Sequence, residues 1–316
     1  MITAAAHPPW ALSKLANGMA NRLVREHVDI NSGRIGVDGM QFDIDLAGPA
    51  DGALVLFLHG FPQSKFAWRH ELRPLAAAGY RAAAPNQRGY SPGARPGGLS
   101  DYGTQNLVAD VFAIADALGA ETFHLVGHDW GGALAWLAAA KAPDRLLSLT
   151  VLSRPHPDAF ARALAETADQ AHRSRHHKAF LNPETEALFL ADNAWRFRKM
   201  LASHDLPAAD IDAYLEVLGT EDALGAAVNW YRAAGGNLTA KNSATANGLG
   251  PITVPTLYFW GDEDNSVGPD AANWTADFVD ADYTFHRIAG VGHFITDQRP
   301  GVVAEPLLIH LMRNSG

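Results

Sequence analysis

The sequence contains no cysteine among its 316 residues. This absence excludes disulfide bonds, a catalytic thiolate and Cys-rich zinc sites. A chain without disulfides fits the cytoplasm, and we expect that location. Residues 1–28 also lack the order of charges and apolar core that a signal peptide has. Leu12, Leu15, Met19 and Leu23 instead follow helical spacing, which predicts an N-terminal helical extension. Such a helix packs against the body or lies on a membrane surface.

Long apolar runs and an excess of positive charge are also missing. No run approaches the ~18 apolar residues of a transmembrane helix, so we expect no membrane span. The net charge of -9 argues against nucleic-acid binding, which needs a basic face. Hydrophobic residues make up 47% of the chain, enough for a packed core. We therefore expect a globular protein, with a homodimer possible.

Strand and helix patterns alternate in the first half of the chain and again at its end. Short apolar strands such as "ALVLFLHG" and "TFHLVG" are each followed by a helical pattern. This alternation predicts an α/β fold with a mostly parallel, doubly wound sheet. From about Asp158 to Arg232 the pattern is helical only, which predicts a helical insert. We place the core at residues 1–153 and 246–316 and the insert at residues 154–245.

The stretch "VGHDWGG" has the spacing of a nucleophile elbow, with Asp129 where Ser usually stands. An acid and a His follow in the expected order, each after a predicted strand. The acid is Asp264, or alternatively Asp262, and the base is His293. The position after "LLSLTVL" holds Ser153 and no carboxylate, so it is discounted for the acid. Catalytic groups collect at this edge of an open sheet, which favours a shared site.

The chain resembles the epoxide hydrolases of the α/β-hydrolase superfamily. The matching segments are "HGFPQS" (59–64), "GHDWGG" (127–132), "NWYR" (229–232), "GDED" (261–264) and "GVGHF" (290–294). The resemblance implies an α/β-hydrolase fold in which the helical insert is a cap over the active site. It also implies epoxide hydrolysis without a cofactor or a metal ion, so that the partners are water and a small substrate. Because the insert is rich in Ala, Leu, Phe and Trp, we expect this substrate to be apolar and neutral.

A carboxylate nucleophile suits attack on saturated carbon, which leaves an ester on Asp129. His293, oriented by Asp264, then activates the water that hydrolyses this ester. The resemblance implies that the backbone N–H groups of Phe61 and Trp130 form the oxyanion hole.

The same resemblance assigns a structural loop and the proton donor. The loop contains His59, Gly60 and Pro62, and the peptide bond before Pro62 is expected to be cis. Tyr231 of "NWYR" matches one of the two cap tyrosines that give the epoxide oxygen its proton.

The second cap tyrosine is missing. The corresponding segment reads "HRSRHHKAFLNP", and its nearest candidates for a second proton donor are His176 and His177. The alternative is that this segment is a solvated basic helix face.

Three other functions stay open at this level. In a haloalkane dehalogenase, Trp130 would hold the halide, and Trp195 or Trp230 would supply the second donor. Phe61 stands where such enzymes often have Asn. A fluoroacetate dehalogenase ranks last, because no Arg stands beside the nucleophile. A non-catalytic ligand-binding protein predicts a damaged triad, whereas all three residues are present.

Overall fold

The computed structural model describes residues 28–235 and 248–315. The predicted N-terminal helix with Leu12, Leu15, Met19 and Leu23 lies outside these residues, as does most of the polar loop that precedes the last strands.

Eight strands form one sheet in the order β1-β2-β4-β3-β5-β6-β7-β8. The strands are β1 (Asn31–Val37), β2 (Met40–Ala47), β3 (Leu54–Leu58), β4 (Arg81–Pro85), β5 (Phe123–His128), β6 (Leu146–Leu152), β7 (Thr256–Gly261) and β8 (Tyr283–Ile288). β2 runs antiparallel to both β1 and β4, and every other pair is parallel. The predicted mostly parallel sheet is confirmed. Because the parallel strands end at one edge, their C-terminal loops meet there.

β1 is a strand that the sequence pattern does not reveal. Most of its residues are exposed, so it lacks the alternation that marks a half-buried strand. It pairs with β2 through a turn at Asp38 and Gly39, both of which have positive φ. Pairing with its neighbour rather than burial therefore forms this edge strand.

Helices cover both faces of the sheet. Leu54 and Leu56 of β3 pack into one hydrophobic cluster, and Val55 and Phe57 pack into another on the opposite face. The core helices are α1 (Arg69–Ala77), α2 (Thr104–Ala117), α3 (Trp130–Lys141), α9 (Pro269–Trp274), α10 (Ile295–Gln298) and α11 (Ala304–Arg313). α1 and α11 lie on the face of Val55, and α2 and α3 lie on the other. The sheet is doubly wound, as predicted.

The described chain between β6 and β7 contains helices and no strand. These helices are α4 (Pro157–Glu166), α5 (Ala168–Arg173), α6 (Thr185–Ala202), α7 (Ala208–Leu218) and α8 (Glu221–Ala233). The sequence suggests one helix where α4 and α5 stand, but the chain breaks at Thr167, whose side chain caps α5. The domain boundaries at 153/154 and 245/246 stay predictions. Among residues 28–235 and 248–315, no helix is long and apolar enough to cross a membrane.

Candidate active site

Asp129 lies at the turn between β5 and α3. Its backbone has φ 50° and ψ −114°, a strained conformation for a residue with a side chain. Neighbouring glycines make the turn possible: a Cβ on Gly131 would lie 2.2 Å from the Leu58 carbonyl oxygen. A Cβ on Gly60 would lie 2.4 Å from the Cβ of Asp129. This close backbone packing places the Asp129 carboxylate in the wall of a cavity.

The side chains of Asp129, His293 and Asp264 contact one another in sequence. His293 Nε2 lies 3.5 Å from Asp129 Oδ2, and its Nδ1 lies 2.9 Å from Asp264 Oδ2. Asp262, the other candidate for the acid, instead accepts a hydrogen bond of 2.8 Å from the backbone N–H of Gly290. The structure therefore brings together the three residues that the sequence singles out, although their catalytic roles stay predictions.

Hydrogen bonds hold Asp264 and His293 in place. Asp264 Oδ1 accepts from the backbone N–H of Ser266 at 2.7 Å. The carbonyl oxygen of His293 accepts from Ser153 Oγ and from His128 Nε2, both at 2.8 Å. Because these contacts fix the backbone of His293, its ring keeps its place between the two carboxylates.

The charges of Asp129, His293 and Asp264 shift the pKa values of Asp129 and His293. Burial alone would raise the pKa of Asp129, but its hydrogen bond to His293 and the charge of His293 hold that pKa well below its usual value. Burial would lower the pKa of His293, but the charge of Asp264 and the contacts with Asp129 outweigh it and raise the pKa to about 10. Near neutral pH, a carboxylate therefore lies beside an imidazolium.

Phe61 and Trp130 flank the Asp129 carboxylate. The backbone N–H of Phe61 donates a 2.9 Å hydrogen bond to Asp129 Oδ1. Trp130 is the first residue of α3, so its backbone N–H is among those at a helix N-terminus that have no intrahelical acceptor. The peptide bond between Phe61 and Pro62 is cis, as expected.

His59 supports the loop of Gly60 and Phe61. Its Nδ1 lies 3.0 Å from the carbonyl oxygen of Gly60, and its Nε2 accepts a 3.2 Å hydrogen bond from the Gln87 backbone. Burial lowers the pKa of His59 to about 4, so its ring is neutral. A neutral ring can accept at one nitrogen and donate at the other, as both contacts require.

The cavity in front of Asp129 has a volume of about 510 Å³, and Tyr231 of α8 contributes to its wall. Five phenylalanines line it: Phe61, Phe160, Phe180, Phe189 and Phe294. The Tyr231 ring lies edge-on to Trp130, with 5.1 Å between centroids. Burial and then the charge of Asp129 raise the pKa of Tyr231 well above 10, so its hydroxyl is protonated. The Asp129 carboxylate and a protonated phenol thus share one largely aromatic cavity.

His177 lies in the wall of this cavity, and its ring centroid is 5.6 Å from that of Tyr231. The side chain of His176 lies outside the part of the chain that the structure describes. Within residues 28–235 and 248–315, no three His, Asp or Glu side chains are grouped so that they could hold a metal ion. Of the two histidines suggested by the sequence, His177 therefore has a described position near Tyr231.

Neither candidate for a second halide donor reaches the cavity. Trp195 is 55% exposed on α6, where Lys199 lies 4.9 Å from its ring centroid. Trp230 is buried, but its indole N–H donates a 2.9 Å hydrogen bond to the carbonyl oxygen of Arg88. The expectation that Trp195 or Trp230 assists Trp130 is therefore wrong for the conformation described.

Arg154 is a cavity residue that lies in none of the sequence motifs. It directly follows Ser153 after β6, is 4% exposed and lines the same cavity as Asp129. The centre of its guanidinium lies 4.3 Å from the centroid of the Phe160 ring. At the sequence level this position is discounted because it holds no carboxylate. The informative signal is a charged residue at the C-terminal edge of a buried strand, where ligands bind.

Comparisons with known proteins agree with this fold. A family model described as alpha/beta hydrolase fold matches residues 53–300. The AB hydrolase superfamily protein YfhM of Bacillus subtilis is 30% identical, over 88% of this chain and 96% of that protein. Epoxide hydrolase 4 of Mus musculus is 30% identical, over 85% of this chain and 76% of that protein. The crystal structure of epoxide hydrolase A from Mycobacterium thermoresistibile is similar with a TM-score of 0.78 and 26% identity, covering 90% of this chain and 98% of that one.

Proposed function

Because the chain belongs to the alpha/beta hydrolase fold family, and within it to the epoxide hydrolases, we propose that it converts an epoxide to a vicinal diol through an ester on Asp129. The α/β-hydrolase fold predicted from the sequence is confirmed by these comparisons. The observation that carries the proposed mechanism is the Asp129 carboxylate at the elbow, paired with His293 and bonded by the Phe61 N–H. A carboxylate suits attack on the saturated carbon of an epoxide.

In the first step, an oxygen of Asp129 attacks a ring carbon and the C–O bond of the epoxide breaks. Tyr231 gives its proton to the departing oxygen, which leaves a hydroxyalkyl ester and a tyrosinate. The charge of Arg154 lowers the pKa of Tyr231 against the stronger effect of burial, and so stabilises the tyrosinate. General-acid assistance of this kind typically contributes ~10²–10⁴-fold.

Ester formation changes the protonation of His293. The ester removes the negative charge of Asp129, one of the two carboxylates that raise the pKa of His293. The pKa of His293 therefore falls, and its proton returns to the tyrosinate of Tyr231. This transfer leaves a neutral imidazole, still bonded to Asp264, as the base for the second step.

In the second step, His293 takes a proton from water and the water oxygen attacks the ester carbonyl. The backbone N–H groups of Phe61 and Trp130 stabilise the oxyanion that forms. The intermediate then breaks its bond to the substrate oxygen, which leaves with the hydroxyl proton as the second alcohol of the diol. Asp129 is again a carboxylate and His293 an imidazolium, so the resting ion pair is restored with one water consumed.

The cap that we assign to residues 154–245 supplies the donors and much of the apolar wall. Its phenylalanines suit the apolar body of a substrate. His177 is placed to share the epoxide oxygen with Tyr231, because their rings are 5.6 Å apart. A neutral imidazole can donate from one ring nitrogen. His176 remains the other candidate for this second position.

A panel of epoxides and haloalkanes, assayed for diol and for halide, tests the proposed function. We expect diol from at least one epoxide. Halide release without diol from any epoxide would move the assignment to a dehalogenase. Recovery of every compound unchanged would indicate a binding protein on a hydrolase scaffold.

A further inference from the structure

Helix α5 of the insert contacts the loop that carries Asp264. This loop runs from Asp264 to Gly268, between β7 and α9. Gln170 of α5 is 1% exposed, and its side-chain amide bonds to the loop backbone at two places. Its Nε2 donates to the carbonyl oxygen of Ser266 at 2.9 Å, and its Oε1 accepts from the N–H of Gly268 at 2.8 Å. The two bonded residues flank Val267, so the amide bridges the loop.

The amide of Gln170 is held in one orientation. Its Nε2 also donates to Ser174 Oγ at 3.0 Å, so both the nitrogen and the oxygen of the amide have partners. A buried amide with these bonds cannot turn over without leaving donors and acceptors unpaired. Arg173 of the same helix donates to the carbonyl oxygen of Asp264. Helix α5 therefore holds the loop at its first residue, near its middle and at its end.

Gly268 leaves room for this contact. A Cβ at this position would lie 2.7 Å from Asp169 Oδ2 and 3.5 Å from Gln170 Oε1. Its φ of −80° suits any residue, so the backbone conformation does not require glycine here. The absence of a side chain at Gly268 instead lets the loop approach α5 closely.

The conformation of the loop fixes the carboxylate of Asp264. Its Oδ1 accepts from the backbone N–H groups of Ser266 at 2.7 Å and of Val267 at 3.0 Å. Its Oδ2 lies 2.9 Å from His293 Nδ1. A shift of the loop therefore moves the oxygen that bonds to His293. The core holds the loop as well, since the Trp260 indole donates to the carbonyl oxygen of Val267 at 3.1 Å.

We propose that Gln170 is a positioning residue, which keeps Asp264 against His293 while the ester is hydrolysed. The proposal rests on the function proposed above and adds to it a residue that lies outside the sequence motifs. During ester formation His293 lies between two carboxylates, so a displaced Asp264 has a small effect. Once Asp129 is an ester, Asp264 is the carboxylate that still orients His293 as the base. Loss of Gln170 should therefore slow the second step more than the first.

A purely structural role for Gln170 predicts a different result. If Gln170 only held the insert against the core, its loss would disturb the whole cavity, including Tyr231. Ester formation and ester hydrolysis would then slow together. The ratio of the two rate constants separates these roles.

The experiment follows a single turnover of styrene oxide by intact-mass spectrometry of rapidly quenched protein, which gives the rates of ester formation and of ester hydrolysis. Gln170→Met keeps the length of the side chain but removes its hydrogen bonds. We expect it to slow ester hydrolysis by roughly 10- to 100-fold, the usual loss when a residue that orients a catalytic group is removed, and to change ester formation less than about threefold. Gln105→Met is the matched control, because Gln105 is exposed on α2, and it should change neither rate.

Gly268→Ala tests the same contact from the side of the loop. The added methyl group meets Asp169 and Gln170, so this variant should also slow ester hydrolysis selectively. It decides the question if circular dichroism shows that Gln170→Met does not fold. Ester hydrolysis within about threefold of the wild type in a folded Gln170→Met would overturn the positioning role. Equal slowing of both steps would also overturn it and would assign Gln170 to holding the insert.

A proton NMR spectrum of the resting protein needs no turnover. The Nδ1–H of His293, which is bonded to Asp264, should give a low-field resonance that is absent from His293→Gln. In Gln170→Met this resonance should broaden or move to higher field, whereas Gln105→Met should leave it unchanged. An altered resonance in a protein that forms no ester with any epoxide would support the hold of Gln170 on Asp264 and overturn the proposed function. An unchanged resonance would overturn the positioning role.

Discussion

Asp129 and His293 form a buried ion pair in which Oδ2 of the carboxylate lies 3.5 Å from Nε2 of the imidazole. The pair keeps the Asp129 carboxylate ionised and holds a proton on His293, the proposed base. Asp264, 2.9 Å from the other ring nitrogen, keeps His293 oriented after Asp129 has become an ester. This arrangement makes the two proposed steps separable by substitution.

Replacing Asp129 removes the proposed nucleophile. Asp129→Ala should lower epoxide turnover by at least about 10⁴-fold, because no ester forms. Its fold should be retained in circular dichroism, since the packing of the glycine-rich turn remains. Diol formation measured with a neutral epoxide checks the rate. Asp262→Ala is the control, because Asp262 is close to Asp264 in sequence but accepts its hydrogen bond from the backbone N–H of Gly290. Asp129→Ala activity within tenfold of wild type would contradict the role of Asp129.

Replacing His293 should stop the reaction at the ester. His293→Gln keeps a polar side chain but cannot take a proton from water, so we expect a covalent adduct with the mass of the added epoxide. Intact-mass spectrometry followed by peptide mapping should place the adduct on Asp129. The double variant with Asp129→Ala is the control and should stay unmodified.

Water labelled with heavy oxygen gives an independent check on the same ester. In a single turnover by the wild type, the label should enter Asp129, because water attacks the carbonyl carbon of the ester. Label in the diol from the first turnover would instead show direct attack of water on the epoxide.

Removing the Tyr231 hydroxyl should affect the epoxide more than other leaving groups. Tyr231→Phe should slow ester formation from an epoxide by ~10²–10⁴-fold, because the departing oxygen needs a proton. A bromide leaves as a stable anion, so any bromoalkane activity should fall far less. Stopped-flow ester formation and bromide release measure the two rates. Tyr214→Phe is the matched control. The Tyr214 hydroxyl donates a 2.8 Å hydrogen bond to Asp297, and Tyr214 is not among the residues that line the cavity. Equal losses on both substrates would assign Tyr231 to shaping the pocket.

The elements that could be predicted from the sequence are those with a strong local signal. The buried strands before Asp129 and Asp264 are mostly apolar, and a glycine stands at the end of one and next to the end of the other, so their C-terminal edge and the residues on it were predictable. β1 was not, because its residues are exposed and it depends on pairing with β2. The break at Thr167 was also missed, because the helical pattern continues through it.

The other residues in and around the cavity were less predictable than Asp129. The position of Asp129 follows from a short motif. No local pattern predicts that Phe160 of α4 packs against the guanidinium of Arg154. Trp195 and Trp230 looked equivalent as donors in the sequence. Their difference depends on burial and on one hydrogen bond to Arg88, which no local pattern encodes.

Glu71 of α1 is a fully buried acid outside the proposed chemistry. Burial, and then the charge of Asp297, raise the pKa of Glu71 to about 8, while Arg69 opposes the shift. The folded state therefore holds a proton on Glu71 at pH values where the unfolded chain has released it. The contribution of Glu71 to stability is most favourable below pH 4.5, the ordinary pKa of Glu, and declines as the pH rises towards 8.

Glu71→Gln should remove this decline, because the amide is neutral at every pH. Relative to the wild type, the variant should gain stability between pH 5 and pH 8, at most about 1.4 kcal/mol for each pH unit crossed. Urea unfolding of both proteins at several pH values measures the difference, in which the titration of shared histidines cancels. Glu305→Gln controls for the loss of one surface carboxylate. A constant difference between Glu71→Gln and the wild type across this range would show that Glu71 is already ionised in the folded protein.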